Sequence, residues 1–224
     1  MRRPSLAGFM LIATVTVATG LGYCYAETDD SPGEFDYYVL VLSWSPSYCK
    51  LDGRKKRDPQ CARNEPRSFT LHGLWPQYKK GWPLDCATER RPWVPRSVID
   101  EMLDIMPSTR LIIHEYRAHG TCSGLTPRQY FSTARNLYET VHVPPRFSKP
   151  NAEASLSPRV IEQEFLDANE WLRPEMIAVT CRGRSLLDVR ICFGQDLFPM
   201  PCGINEDEKR LCNLPEINVP AAIR

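Results

Sequence analysis

The chain is 224 residues long, 42% hydrophobic and 25% charged, with 28 basic and 27 acidic side chains and a formal charge of +1 at pH 7. This is the composition of a folded protein rather than a disordered one. The near balance of charge also excludes a protein that holds a polyanion by its overall field, so any such attraction has to come from a local cleft.

Met1, Arg2 and Arg3 precede an apolar stretch at 9–17 and small residues before Glu27, the layout of an export signal cut after Ala26. The stretch is too short and too interrupted for a membrane span, and nothing later reaches the roughly 18 continuous apolar residues a span needs. The mature form is therefore expected to be periplasmic or extracellular, with no membrane segment. Residues 27–224 have the size of one domain. Losing the leader removes two arginines and no acid, for a mature charge of −1, and removes Cys24 of the nine cysteines. Eight cysteines in an exported chain argue for disulfides, although counting leaves their connectivity open. A zinc ribbon does not fit, because no Cys-x-x-Cys pair exists and Cys192, Cys202 and Cys212 are too widely spaced.

Residues 36–44 are rich in β-formers and stop short of Pro46, which predicts a buried strand. A second strand is predicted at 67–75, stopped by Pro76. The polar, basic stretch at 50–67 between them has Cys49 and Cys61 near its ends, where a bridge would staple it. Helical periodicity follows at 95–106, with Val98, Met102 and Ile105 on one face, and at 109–119, where Gly120 suits the C-terminal cap. Helices at 126–141 and 157–168 each have a proline in their first turn, and 141–158 reads as an irregular connection. Strand alternation returns at 176–182 and 186–193 around Gly183. The tail after Cys212 reads as an extended arm, and the whole layout is α+β.

The four histidines stand at 72, 114, 119 and 142. His72 lies at the end of a strand, in Ser68-Phe69-Thr70-Leu71-His72-Gly73-Leu74-Trp75-Pro76-Gln77. Such a position holds an imidazole rigidly, yet a single histidine there is structural more often than catalytic. In His114-Glu115-Tyr116-Arg117-Ala118-His119, a turn of about 100° per residue puts Glu115 and His119 about 40° apart and His114 about 140° from His119. A zinc-protease helix needs His-Glu-x-x-His, and the spacing here is one residue longer. A carboxylate one turn from a histidine instead suits proton transfer at phosphorus; an exposed i,i+4 ion pair is the plainer alternative.

Taken together and in this order, Phe69-Thr70-Leu71-His72-Gly73-Leu74-Trp75-Pro76 and His114-Glu115 with His119-Gly120-Thr121-Cys122 resemble the two signature segments of the ribonuclease T2 family. Leu42-Ser43-Trp44-Ser45-Pro46-Ser47-Tyr48-Cys49 is similar to the family's N-terminal strand. The resemblance implies a central antiparallel sheet with flanking helices. It also implies an endoribonuclease, working without metal or cofactor, that cleaves single-stranded RNA through a 2′,3′-cyclic phosphate (a lyase step) and hydrolyses it to a 3′-phosphate; a monomer is expected. DNA lacks the nucleophile for that reaction.

Carried over by position, His119 is the general base, His72 the general acid, His114 a phosphate ligand and Glu115 a stabiliser of the transition state. Trp75 and Gln77 fall where the family contacts a base, although Trp75 also suits core packing. The same resemblance implies bridges Cys86–Cys122, Cys181–Cys212 and Cys192–Cys202, with Cys49–Cys61 as the fourth. One departure stands out. The family usually has a lysine before the second segment's last histidine, where this chain has Ala118, and Arg117 points about 100° away round the helix. A weakened or purely binding relative of the same fold is the alternative reading.

Overall fold

The computed structural model describes residues 30–221 apart from 55, 56, 63, 66, 90 and 150. The expected leader and its cut after Ala26 lie outside the described residues, and within them no helix is long and apolar enough to cross a membrane.

The organising strand is β1 (Tyr37–Trp44), every residue of which is buried. It pairs antiparallel with β2 (Phe69–Gln77) on one side and β5 (Ser185–Gly194) on the other. β4 (Ile177–Arg182) joins the far edge of β5 through a hairpin in which Gly183 takes φ +61. Alternation along β1 divides two packing faces. Tyr38, Leu40, Leu42 and Trp44 enter the main core, while Tyr37, Val39 and Val41 pack with Cys192 and Trp75 on the opposite face. The main core is closed by α2 (Arg96–Met102), α3 (Thr109–Ala118), α4 (Pro127–Thr140) and α6 (Pro158–Ala168), which contribute Val98, Ile112, Phe131 and Phe165 among others. α1 (Ser45–Tyr48) and α5 (Pro145–Ser148) are single turns, as is α7 (Glu208–Leu211).

The structure corrects the sequence expectations at several points. β2 does not stop at Pro76 but runs through it to Gln77, because β2 lies at the edge of the sheet, where a missing N–H breaks no ladder. The helix expected at 95–106 ends at Met102, leaving Ile105 only partly buried. Gly120 does not cap α3 in a left-handed conformation. It opens a 3₁₀ turn (Gly120–Ser123), and Gly124 takes the positive φ, +71. Gly120 answers a different need: a Cβ there would lie 2.4 Å from Cδ2 of the Tyr116 ring. The connection at 141–158 contains α5 and a short strand, β3 (Ala154–Leu156). The tail contains β6 (Ile217–Val219), which pairs antiparallel with β3 and meets β5 through one parallel contact, so the six-stranded sheet is antiparallel but for that contact. Trp44 Nε1–H donates to the Pro220 carbonyl at 3.1 Å, fastening the tail to the core.

Four disulfides form, in the pairing that the sequence resemblance implies: Cys49–Cys61, Cys86–Cys122, Cys181–Cys212 and Cys192–Cys202. Cys86–Cys122 ties the loop after β2 to the turn after α3, and so spans the two segments that carry the histidines.

The tail is thus part of the core. Ile217 is fully buried and Asn218 is exposed. Ile217→Ala should cost about 3 kcal/mol in urea unfolding, and Asn218→Ala about 0.5 kcal/mol or less. Equal, small effects would show that the tail only rests on the sheet.

Candidate active site

His72 owes its position to an irregularity in β2. Val41 pairs with Gly73 but Leu42 pairs with Leu71, so His72 is an extra residue in a β-bulge. Residues three apart in a regular strand face opposite ways; the bulge resets the alternation and brings the His72 and Trp75 side chains to the same face. Their rings meet edge to face at 5.4 Å. Gly73 beside the bulge also leaves room for Glu115 of α3. A Cβ at 73 would stand 2.1 Å from Glu115 Oε2.

Two polar residues fix the His72 ring from behind. Ser43 on β1 and Asp188 on β5 face each other across the ladder. The Ser43 hydroxyl donates to Asp188 Oδ1 at 2.6 Å and lies 2.8 Å from His72 Nδ1. Its single proton is committed to Asp188, so it accepts from His72, and Nδ1 carries a hydrogen. Asp188 Oδ2 accepts from Thr180 Oγ1 at 3.3 Å. The other ring nitrogen, Nε2, faces Glu115 Oε1 at 3.4 Å.

Glu115 is only 1% exposed. Its second oxygen accepts from Trp75 Nε1–H at 2.8 Å. The Trp75 indole stacks on His119 at 5.0 Å with 27° between planes, and the Arg190 guanidinium lies 5.1 Å from the ring centre. His119 Nδ1 is buried without a hydrogen-bond partner, which leaves Nε2 for the cleft. The cleft, about 440 Å³, is lined by Trp75, Gln77, His119, Arg190 and Asn205, with the half-exposed Trp82 at its side. A larger cavity of about 570 Å³ near Arg57, Arg67 and Ser108 contains no histidine. Cleft chemistry therefore singles out the smaller one.

The two imidazoles are driven in opposite directions. Burial pushes His72 toward neutrality, but the Glu115 carboxylate beside it and then Asp188 outweigh burial, and its pKa rises above the ordinary 6.5. For His119, burial again favours the neutral ring and the charges of His72 and His114 add to it, so its pKa falls below 6.5 despite Glu115. Glu115 is itself held below the usual carboxylate range: burial opposes ionisation, and His72, His119 and the Trp75 N–H overcome it.

The structure thus brings together His72, Glu115, His119 and Trp75. His114 is exposed on α3, with no hydrogen bond to the described residues, and reaches the group only through its charge on His119. Gln77 is buried at the cleft wall, where its carbonyl oxygen accepts from Asn205 Nδ2 at 3.1 Å. Ala118 is buried, and Arg117 turns away to the Pro92 carbonyl. Sequence reasoning missed Ser43, Asp188, Arg190 and Asn205. The signals were an aspartate and an arginine two residues apart in a predicted strand, and a glycine inside another, which marks a bulge. Among the described residues no group of three or more His, Cys, Asp or Glu is placed to hold a metal ion.

The sequence profile of the Ribonuclease T2 family matches residues 35–202. The chain belongs to the ribonuclease T2 family. Among its relatives, a "Ribonuclease" of Aeromonas hydrophila is 39% identical over 56% of this chain and 55% of its own length. Ribonuclease I of Escherichia coli strain K12 is 28% identical over 77% of this chain and 80% of its own. The chain spans about half the length of the Aeromonas relative and of a Haemophilus influenzae "Probable ribonuclease". The fold matches an RNase-related protein from Calystegia sepium (TM-score 0.64, 23% identity, 84% of this chain and 98% of that one). It likewise matches ribonuclease MC1 from bitter gourd seeds (TM-score 0.63, 22% identity, 83% and 100%). These two likenesses establish the T2 fold.

The Asp188 carboxylate, 4.0 Å from His72 Nδ1, raises the His72 pKa by its charge, which predicts that Asp188→Asn shifts the His72 imidazole titration to lower pH. NMR of the ring protons reads the shift directly. An unmoved titration would mean that Asp188 serves only to fasten β1 to β5.

Proposed function

We propose that this T2-family chain is an endoribonuclease that cleaves single-stranded RNA by transphosphorylation. The observation that carries the reading is the geometry of two imidazoles on one indole, His72 edge-on and His119 stacked, with the buried Glu115 carboxylate against His72 and the Trp75 N–H. Attack by a ribose 2′-hydroxyl on the adjacent phosphorus needs a base to take its proton, and departure of the 5′-oxygen needs an acid to supply one. His119, held neutral, takes the first proton at Nε2. His72, whose proton affinity Glu115 and Asp188 raise, delivers the second. The products are a 2′,3′-cyclic phosphate and a free 5′-hydroxyl. Water then opens the ring with the two roles exchanged, leaving a 3′-phosphate. DNA has no 2′-hydroxyl and is not cut.

Glu115 works through its neighbours: it keeps His72 charged and fixes the Trp75 plane. Trp75 lines the cleft with Gln77 and Asn205 and gives a base apolar ring surface to rest against. His114, exposed beside the group, supplies positive charge toward the phosphate. The relatives named as ribonucleases support this assignment. The leader expected at 1–26 and four disulfides favour export to an oxidising compartment. The mature protein is read as a single domain acting as a monomer, with no cofactor.

Purified mature protein should cleave RNA in excess EDTA and leave 2′,3′-cyclic phosphate ends. His72→Ala and His119→Ala should each lower kcat/KM by about 10²–10⁴-fold. The pH profile follows from the two shifts. Activity requires neutral His119, so it rises on the acid side through a pKa below 6.5. It also requires protonated His72, so it falls on the alkaline side through a pKa above 6.5. The plateau of kcat/KM, which reports the free enzyme, should straddle 6.5. A protein that binds RNA without cutting it, or that cuts only with added metal, would refute the assignment.

A further inference from the structure

α3 brings histidines and a glutamate to the cleft but no permanent cation. Ala118 is buried, its carbonyl accepting from Asp85 N–H at 2.9 Å, and Arg117 donates away from the cleft to Pro92. The permanent charge comes from the opposite wall. Arg190 on β5 stands across the ladder from Val41, which in turn pairs with Gly73. The guanidinium lies over the Trp75 ring, which packs in the same cluster as Val41. Trp75 therefore carries three basic groups, with His119 at 5.0 Å, Arg190 at 5.1 Å and His72 at 5.4 Å. Arg190 and His119 line the same cleft. The proximity is felt at His72, whose proton affinity Arg190 lowers.

The donors of Arg190 are not used up. Its Nε is buried with no hydrogen-bond partner, and its contact with Glu206 Oε1, at 3.6 Å, is a charge contact in which that oxygen also lacks a hydrogen bond. Tyr37 O–H holds the other Glu206 oxygen at 2.5 Å. Glu206 thus tethers the guanidinium without consuming its donors. A guanidinium on a cleft wall whose contact with its carboxylate is longer than a hydrogen bond keeps N–H groups with which to bind an oxyanion. Arg210, the other arginine lining the cleft, is exposed on the single turn α7, where water and salt screen its charge.

We propose that Arg190 is a catalytic residue, donating from its guanidinium to a nonbridging oxygen of the scissile phosphate. This rests on the ribonuclease reading above. As the 2′-oxygen bonds to phosphorus and its proton passes to His119, the phosphodiester monoanion becomes a dianionic phosphorane. The P–O5′ bond then breaks, with a proton from His72. Arg190 gains and loses no proton; its fixed charge balances the one that develops, an interaction stronger in the transition state than in the ground state.

The test measures kcat, KM and pH profiles on a dinucleoside phosphate for Arg190→Met, Arg190→Lys and His119→Ala. Arg190→Met should lower kcat about 10²-fold with KM changed about threefold or less, and should move the alkaline limb to higher pH, since a charge that depresses His72 is gone. Arg190→Lys should recover most of the rate. Arg190→Gln repeats the reading should Arg190→Met fail to fold. An unchanged kcat in Arg190→Met or a change confined to KM would each overturn the proposal. If His119→Ala cleaves like wild type, the ribonuclease site itself is misassigned; if His119→Ala is inactive and Arg190→Met is not, only the arginine is.

Discussion

A buried carboxylate organises the cleft. Glu115 is charged and almost wholly removed from water, a state that survives only when both oxygens have strong partners. One oxygen takes the Trp75 N–H, the other faces His72, and the two partners sit on a strand that α3 does not otherwise need to touch so closely. Glu115 therefore couples the placement of α3 on β2 to the protonation of His72. Gly73 is part of the same constraint, because any side chain there would occupy the place of the carboxylate.

From that contact the asymmetry of the two histidines follows. His72 lies between Glu115 and the Ser43–Asp188 pair, so negative charge flanks both ring nitrogens and the imidazolium is stabilised. His119 has the same carboxylate as a neighbour but also two other imidazoles and an Nδ1 with no partner, and its neutral form prevails. One fold thereby keeps an acid and a base of the same residue type at the same pH, by environment alone. The Cys86–Cys122 bridge and the Tyr116 ring against Gly120 hold the turn after α3 so that His119 keeps its stack on Trp75.

Much of this was legible in the sequence, and the parts that were not share a cause. α4 begins and ends close to where its signals say because they are local: Pro127 in the first turn, and Thr126 and Gln129 in a reciprocal cap. The histidine segments are local too, and the helical angle between Glu115 and His119 needs no tertiary information. Ser43, Asp188 and Arg190 could not be read that way. Ser43 and Asp188 are 145 residues apart, and only the register of β1 on β5 makes them one unit. The bulge at His72 is likewise a property of the pairing, hinted at only by Gly73. β3 and β6, three residues each, are strands because they have each other, which propensity over so short a window does not show. The substitution at Ala118 reads as a loss in the sequence; in the structure the helix position is sealed, and the cation stands on the facing strand.

The central claim is the order in which the two cleft imidazoles lose their protons. Residue-assigned NMR titration of the histidine rings in the wild-type protein tests it without reference to substrate. The account predicts that, as pH rises, His119 becomes neutral below pH 6.5 and His72 only above it. A His119 that stays protonated after His72 has lost its proton would contradict it.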